Sequence, residues 1–145
     1  MPTQHAFILF AHGARDPQWA LPFRQLAESL SLRRPDCLVR LAFLELMTPS
    51  LADCVDALCA DGVTEIQIVP AFMATGAHLR RDLPELVEAL QLRHPGISLH
   101  VSTALGEALP VQHAMADWIA GLCVQATASS SDAIGQTSAK AANTG

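Results

Sequence analysis

The sequence lacks the features that would place the protein in a membrane, in a secretory pathway or on nucleic acid. Its formal net charge is −5, so it has no basic surface of the kind that nucleic-acid binding requires. No apolar run approaches the roughly 20 residues needed to cross a bilayer. The segment from Met1 to His5 has neither the basic nor the apolar region of a signal peptide. We therefore expect a cytoplasmic protein with no membrane or nucleic-acid partner.

Several motifs of common enzyme classes are also missing. None of the four cysteines stands in a Cys-x-x-Cys pair, which argues against a zinc ribbon or a thioredoxin-type site. There is no Gly-x-Gly-x-x-Gly after a strand and no Gly-x-x-x-x-Gly-Lys loop, so nucleotide binding has no support. The Gly-x-Ser-x-Gly turn of α/β-hydrolases is absent as well. We expect no organic cofactor, and we assign the cysteines no role.

The chain does contain enough apolar residues to build one core. Its 145 residues are 50% hydrophobic and 16% charged, which is typical of a globular domain. From about Gln125 onward, small polar residues replace the apolar pattern and cannot bury enough surface to order the chain. The sequence therefore predicts a domain over residues 1–124 and a flexible tail over residues 125–145.

Apolar runs alternate with segments in which apolar residues recur at helical spacing. The runs predict four strands, over Ala6–Ala11, Cys37–Leu46, Thr64–Met73 and Ile97–Ala104. The segments between and after them predict four helices, over Trp19–Arg34, Ser50–Ala60, Asp82–Arg93 and Leu109–Val124. Because each crossover helix returns the chain in the same direction, the pattern predicts an α/β fold with a four-stranded parallel sheet flanked by helices.

Three candidate metal ligands follow three of these strands. His12 comes directly after the first strand, Glu45 is near the end of the second, and His78 is in the loop after the third. The carboxyl ends of parallel strands lie at one edge of the sheet, where open α/β sheets bind their ligands. Two imidazoles and a carboxylate suit Fe, Co, Ni or Zn, and three protein ligands with an open position are typical of a catalytic site.

Each of these residues also has a simpler interpretation. His12 can cap its strand through a hydrogen bond, or act as a general base because a neutral imidazole accepts protons near pH 7. Glu45 can interact with the amino terminus of the helix that begins near Pro49. His78 can be a solvated loop residue or a cap for the next helix. Their convergence on one edge favours the functional interpretation.

Several motifs occur together and in order along the chain. They are His12–Pro17, Phe43–Ser50, Val69–Phe72, Gly76–His78, Asp82–Glu85 and Leu105–Glu107. In this combination the sequence resembles the small class II chelatases, the CbiX-type sirohydrochlorin chelatases. Ala14 stands where the family often has serine, and Thr75 to Ala77 replace a more glycine-rich stretch. Neither departure removes a candidate ligand.

The resemblance implies an activity and a set of partners. It implies that the protein inserts a divalent metal, Co²⁺ or Fe²⁺ and possibly Ni²⁺, into sirohydrochlorin without ATP, in cobalamin or sirohaem biosynthesis. It also implies the chelatase-like three-layer sandwich and a homodimer. The family's two histidines correspond to His12 and His78, and its acidic residue corresponds to Glu45.

These correspondences give each residue an expected role. His78 and Glu45 hold the metal while His12 helps to hold it or accepts pyrrole protons, and the roles of the two histidines can be exchanged. Arginines are expected to pair with the carboxylates of the substrate, although any one of them can equally be a solvated loop residue. Apolar residues at the strand ends are expected to face the macrocycle, or else to be ordinary core residues. The arginines are Arg15, Arg80 and Arg81, and the apolar residues are Phe10, Leu46, Met47, Phe72 and Met73.

Two other functions fit the same pattern. One is a metal or tetrapyrrole carrier that keeps the fold without turnover, and a metal-insertion assay distinguishes it from an enzyme. The other is a domain that serves only as a dimer scaffold, which would bind no metal in a titration. The presence of all three candidate ligands favours the enzyme.

Overall fold

The computed structural model describes residues 4–122, and the predicted tail over residues 125–145 lies outside this range. The chain divides into two units, Met1–Ala108 and Leu109–Gly145. In the described residues no helix combines the length and the apolar character that a membrane span requires.

The first unit contains a four-stranded parallel sheet. Its strands are β1 (His5–Ala11), β2 (Cys37–Phe43), β3 (Glu65–Pro70) and β4 (Ser98–Val101). They are arranged in the order β2-β1-β3-β4, and every neighbouring pair is parallel. The predicted parallel sheet is therefore confirmed, and the carboxyl ends of its strands share one edge.

Three α-helices and one short 3-10 turn lie between these strands, and a second 3-10 turn follows the last strand. The helices are α1 (Leu21–Arg33), α2 (Leu51–Ala60) and α3 (Ala77–Arg93), and the turns are η1 (Pro17–Ala20) and η2 (Leu105–Glu107). The predicted cap of α2 is present, because the Ser50 hydroxyl accepts a hydrogen bond from the Asp53 N–H at 3.2 Å.

Apolar side chains pack on both faces of the sheet, because successive strand residues point to opposite sides. On one face, Ala6, Ile8 and Phe10 pack with residues of α2 and α3 in the larger core cluster. On the other face, Ala11 and Phe43 pack with residues of η1 and α1. The first unit is thus a sheet between two helical layers, as predicted.

Helix α1 covers its face of the sheet less completely than its apolar spacing predicts. No residue of α1 is fully buried, and its contacts are with β1 and β2. Phe23 is half-buried, whereas Leu26 remains 39% exposed. The predicted buried face is therefore only partly formed.

Four predicted boundaries at or next to the carboxyl edge of the sheet are wrong. Strands β3 and β4 end at Pro70 and Val101, each three residues before the predicted ends at Met73 and Ala104. Helix α3 begins at Ala77, five residues before the predicted start at Asp82, so Pro84 lies inside the helix. The amino-terminal cap is Gly76, which has no side chain to reveal it, whereas Asp82, Pro84 and Glu85 together imitate a helix start. Strand β2 ends at Phe43, so Glu45 lies in the following loop and not on the strand.

The described part of the second unit is helical over residues 109–122, in agreement with the predicted fourth helix. Its apolar side chains are largely exposed, with Trp118 at 69%. Val124, the predicted end of this helix, lies outside the described residues.

Candidate functional site

His12 lies immediately beyond the carboxyl end of β1, and its side chain is exposed. Its imidazole packs on the Phe72 ring, with the ring centroids 4.3 Å apart and the planes at 34°. Phe72 is only 6% exposed and contacts the Phe10 ring edge-on, so its ring is held in place by the core and supports the imidazole. Neither ring nitrogen of His12 has a hydrogen-bond partner among residues 4–122. The imidazole is thus held by one face with its nitrogens accessible.

Glu45 is brought to His12 by the backbone. The Glu45 N–H donates to the His12 carbonyl at 3.0 Å, and the preceding Leu44 N–H donates to the Ala11 carbonyl at 2.9 Å. The next residue after His12, Gly13, has a φ of +93°, and a Cβ at this position would lie 1.8 Å from the Glu45 carbonyl oxygen. Only glycine fits here, because both the dihedral angle and the close approach exclude a side chain. Gly13 therefore allows the loop that follows β2 to contact the loop that follows β1.

The loop that carries Glu45 is held in an unusual conformation. Leu46 has a φ of +64°, a left-handed conformation that non-glycine residues rarely adopt. Its side chain is 58% exposed, so no burial of the leucine compensates for this conformation. Such strain costs on the order of 1–3 kcal/mol and is concentrated at functional sites. The loop between β2 and α2 has the properties of a binding loop.

His78 lies in the first turn of α3, not in a loop as the sequence predicted. The segment from Phe72 to Gly76 leads into this turn and begins beside His12, because Phe72 contacts the His12 imidazole. His78 is exposed, and the hydrogen bonds of the described residues include none to its ring nitrogens. The short segment from Phe72 to Gly76 thus leads from the ring that contacts His12 to the helical turn that carries His78.

The carboxyl edge also exposes apolar surface. Leu44, Leu46 and Met73 are 42%, 58% and 68% exposed, and Met47 is half-buried. Phe10 belongs to the core, so of its two interpretations the structure supports the core residue and not the residue that faces a ligand. Phe72 is also buried and supports His12 rather than presenting its own ring at the edge.

Three arginines near this edge differ in what they contact. Arg15 and Arg81 are exposed. Arg80 uses its Nε–H to donate to the Thr75 carbonyl at 3.0 Å. Part of the Arg80 guanidinium is therefore engaged by the protein itself, whereas Arg15 and Arg81 extend into solvent.

No group of three or more His, Cys, Asp or Glu side chains within residues 4–122 is close enough to hold a metal ion. His12, Glu45 and His78 are therefore not assembled as a closed cage. A structural metal site saturates the metal with protein ligands, whereas a site that releases its metal leaves positions open.

Sequence reasoning missed the contribution of η2. The Glu107 carboxylate accepts a hydrogen bond from the Thr75 N–H at 2.9 Å, although the two residues are 32 positions apart. A Cβ on Gly106 would lie 2.0 Å from the Met73 carbonyl oxygen, so this turn packs directly on the backbone leading to His78. The Leu105–Glu107 motif was the available signal.

The described cysteines have the properties of core residues. Burial raises the pKa of the Cys54 thiol to about 11 and also raises the pKa values of Cys59 and Cys37. Because the thiolate is the metal-binding and nucleophilic form, these shifts make the thiols poor ligands near neutral pH.

Comparison with known proteins gives a consistent result. The sequence model of the CbiX family matches residues 6–121. A sirohydrochlorin cobaltochelatase of Saccharolobus solfataricus is 34% identical over 101 residues, which cover 67% of this chain and 77% of that protein.

Solved structures match as well. A protein described as a cobalamin (vitamin B12) biosynthesis CbiX protein from Marinobacter aquaeolei superposes with a TM-score of 0.73 at 31% identity, covering 83% of this chain and 98% of that one. The sirohydrochlorin chelatase SirB from Bacillus subtilis subspecies spizizenii, solved in complex with cobalt, has a TM-score of 0.64 at 24% identity. That match covers 71% of this chain and 44% of SirB, and it shows a shared fold.

Proposed function

The chain belongs to the CbiX family, and we propose that it acts in the cytoplasm to insert Co²⁺ or Fe²⁺ into sirohydrochlorin in cobalamin or sirohaem biosynthesis. The observation that carries this proposal is the backbone contact between the loops of His12 and Glu45 at the carboxyl edge of the sheet. Relatives that are sirohydrochlorin cobaltochelatases support this reaction and favour cobalt as the metal.

The metal is a substrate here and must be both bound and released. His78, Glu45 and His12 are the donors we assign to it, and they suit a borderline divalent ion. Since they do not form a closed cage, the pyrrole nitrogens of the macrocycle complete the coordination as the metal transfers. Two pyrrole protons leave as the two positive charges enter, so the net charge of the macrocycle complex is unchanged.

His12 is the residue best placed to accept a pyrrole proton. Its ring is fixed by Phe72 through one face, and its nitrogens have no hydrogen-bond partner in residues 4–122. A neutral imidazole accepts protons near pH 7. His78 and Glu45 then hold the metal. Both side chains are exposed, so a metal ion can reach them.

The exposed apolar residues Leu46 and Met73 provide a surface for a flat macrocycle, and the arginines provide charges for its carboxylates. Arg15 and Arg81 extend into solvent, and Arg80 retains its terminal nitrogens for a ligand. We expect Arg15→Gln to raise the KM for sirohydrochlorin several-fold while leaving kcat nearly unchanged, because this contact forms equally in the ground and transition states.

We also propose that the protein is a homodimer. Met115, Trp118, Ile119 and Leu122 share one face of the helix over residues 109–122, and a second copy would remove this face from water. Trp118→Glu should shift the sedimentation coefficient to that of a monomer, whereas His113→Glu on the opposite face should not. The family match ends at residue 121, which supports our proposal that the domain spans residues 1–124.

The test is an anaerobic absorbance assay of sirohydrochlorin with Co²⁺, Fe²⁺ or Ni²⁺ in the absence of ATP. A chelatase accelerates insertion over many turnovers per protein molecule, and the fastest metal indicates the pathway. A carrier binds metal or macrocycle only stoichiometrically. A folded protein that accelerates insertion of none of the three metals would refute the proposed function.

A further inference from the structure

The Thr75 backbone is held by two side chains from different parts of the chain. The Glu107 carboxylate accepts from the Thr75 N–H at 2.9 Å, and the Arg80 Nε–H donates to the Thr75 carbonyl at 3.0 Å. Both bonds involve a charged group, and such bonds are about twice as strong as neutral ones. Both backbone polar groups of Thr75 are therefore fixed.

The turn η2 holds the same segment at a second point. The Gly106 N–H donates to the Phe72 carbonyl at 2.9 Å, and the Gly106 Cα lies against the Met73 backbone with no room for a Cβ. The segment from Phe72 to Thr75 is thus attached to η2 at both of its ends. This is the segment that begins under His12 and leads into the helical turn of His78.

On its core side, the first turn of α3 packs through Leu79, which belongs to the larger core cluster. The helix cap, Gly76, makes no side-chain hydrogen bond. A cavity of about 530 Å³ lies beside the segment and is lined by Thr75, Arg80 and Glu107 together with residues of α3 and β4. Because packing is absent on the cavity side, the polar contacts of Thr75 act together with the burial of Leu79 to place the first turn of α3.

We propose that Glu107 is a positioning residue for the metal-inserting site: its carboxylate fixes Thr75 and so sets the place of His78 relative to His12. The proposal rests on the proposed function for its catalytic consequence. Glu107 acts through Thr75 and touches neither the metal nor the macrocycle.

Three substitutions separate the possible roles of Glu107. Glu107→Ala removes the acceptor, Glu107→Asp keeps the charge but shortens the reach, and Glu107→Gln keeps both the reach and an acceptor oxygen. The control is Glu88→Ala, which removes an exposed carboxylate from the same cavity without a contact to Thr75.

We expect Glu107→Ala and Glu107→Asp to lower kcat for metal insertion about tenfold, with KM for sirohydrochlorin changed less than about twofold. Glu107→Gln should recover most of the wild-type kcat, and Glu88→Ala should match the wild type. If the Ala variant does not fold, the Asp and Gln variants still make the comparison. Equal kcat values for Glu107→Asp and Glu107→Gln would overturn the proposal.

A second measurement does not depend on turnover. The ring signals of His78 in a ¹H–¹³C NMR spectrum should shift in Glu107→Asp and stay in place in Glu88→Ala, while those of the distant His100 stay in place in both. Unchanged His78 signals would refute the positioning role even if the wild type is an active chelatase. Shifted signals in a protein without chelatase activity would instead support the positioning and contradict the proposed function.

Discussion

Replacing Gly13 by alanine tests how the two loops of the site are joined. The added Cβ would lie 1.8 Å from the Glu45 carbonyl oxygen and 3.0 Å from the Glu45 carbonyl carbon. Since real contacts of this kind are not shorter than about 3 Å, the Glu45 backbone must retreat by more than about 1 Å. The hydrogen bond from the Glu45 N–H to the His12 carbonyl would then be lost.

Other glycines separate the two components of this effect. Gly62 has a φ of +87° with only a side-chain atom at 3.9 Å, so Gly62→Ala reports the dihedral cost alone, about 1 kcal/mol. Gly96 has neither an unusual φ nor a neighbour within 4 Å, so Gly96→Ala should be neutral or slightly stabilising. We expect Gly13→Ala to lower the free energy of unfolding by about 2–4 kcal/mol, because overpacking adds to the dihedral cost.

The measurements are urea unfolding and the metal-insertion assay at a temperature where each variant is folded. A displacement of about 1 Å in a catalytic group can lower the rate by a factor of about 100, and we expect a loss of this size in kcat/KM for Gly13→Ala. Gly62→Ala should keep wild-type activity despite its lower stability. The reasoning is refuted if Gly13→Ala is as stable as Gly62→Ala and fully active.

Three further predictions concern the Phe72 ring that packs against His12, a buried thiol and a helix cap. Phe72→Leu should lower the free energy of unfolding by about 1–2 kcal/mol and reduce kcat, because His12 loses its stacking partner; Phe7→Leu, outside the site, should leave kcat unchanged. The Cys54 thiol has a pKa of about 11 in the fold and 9.0 as its ordinary value, so the fold favours the protonated form. The contribution of Cys54 to stability should therefore be constant below pH 9 and be lost between pH 9 and 11, and urea titrations of Cys54→Ala should show a smaller fall across that range. Ser50→Ala should cost about 1 kcal/mol in the same titrations, since it removes the acceptor for the Asp53 N–H; an unchanged midpoint would mean that the cap contributes nothing.

Much of the fold is accessible from the sequence because its apolar pattern is strong. The run from Ala6 to Ala11 is apolar throughout and bounded by Gly13, so it predicts β1 within one residue. The spacing of Leu51, Cys54, Val55 and Leu58 predicts α2, and all four are buried. Such apolar patterns can be recognised in the sequence because they depend only on which side chains are buried.

The start of α3 could not be predicted by the same reasoning. Asp82, Pro84 and Glu85 carry the usual signals of a helix start, but the helix begins at Ala77, after a cap, Gly76, that has no side chain. The Thr75 N–H just before this start donates to Glu107, which is distant in sequence. A single sequence does not reveal which distant residue satisfies a backbone N–H.

The candidate site was predictable in its location but not in its construction. His12 and Glu45 follow adjacent parallel strands, so strand direction alone places them at one edge. The contact through Gly13 depends on backbone positions that only the folded loops define. The burial of Phe72 under His12 likewise depends on how the segment after β3 folds back.

The most direct test of the account is metal insertion by three histidine variants. Anaerobic assays with sirohydrochlorin and Co²⁺ should compare the wild type with His12→Ala, His78→Ala and His100→Ala, the last being an exposed histidine of β4 outside the site. The account predicts losses of about 100-fold or more for His12→Ala and His78→Ala, and wild-type rates for His100→Ala. Folded His12→Ala and His78→Ala proteins that turn over at the wild-type rate would contradict it.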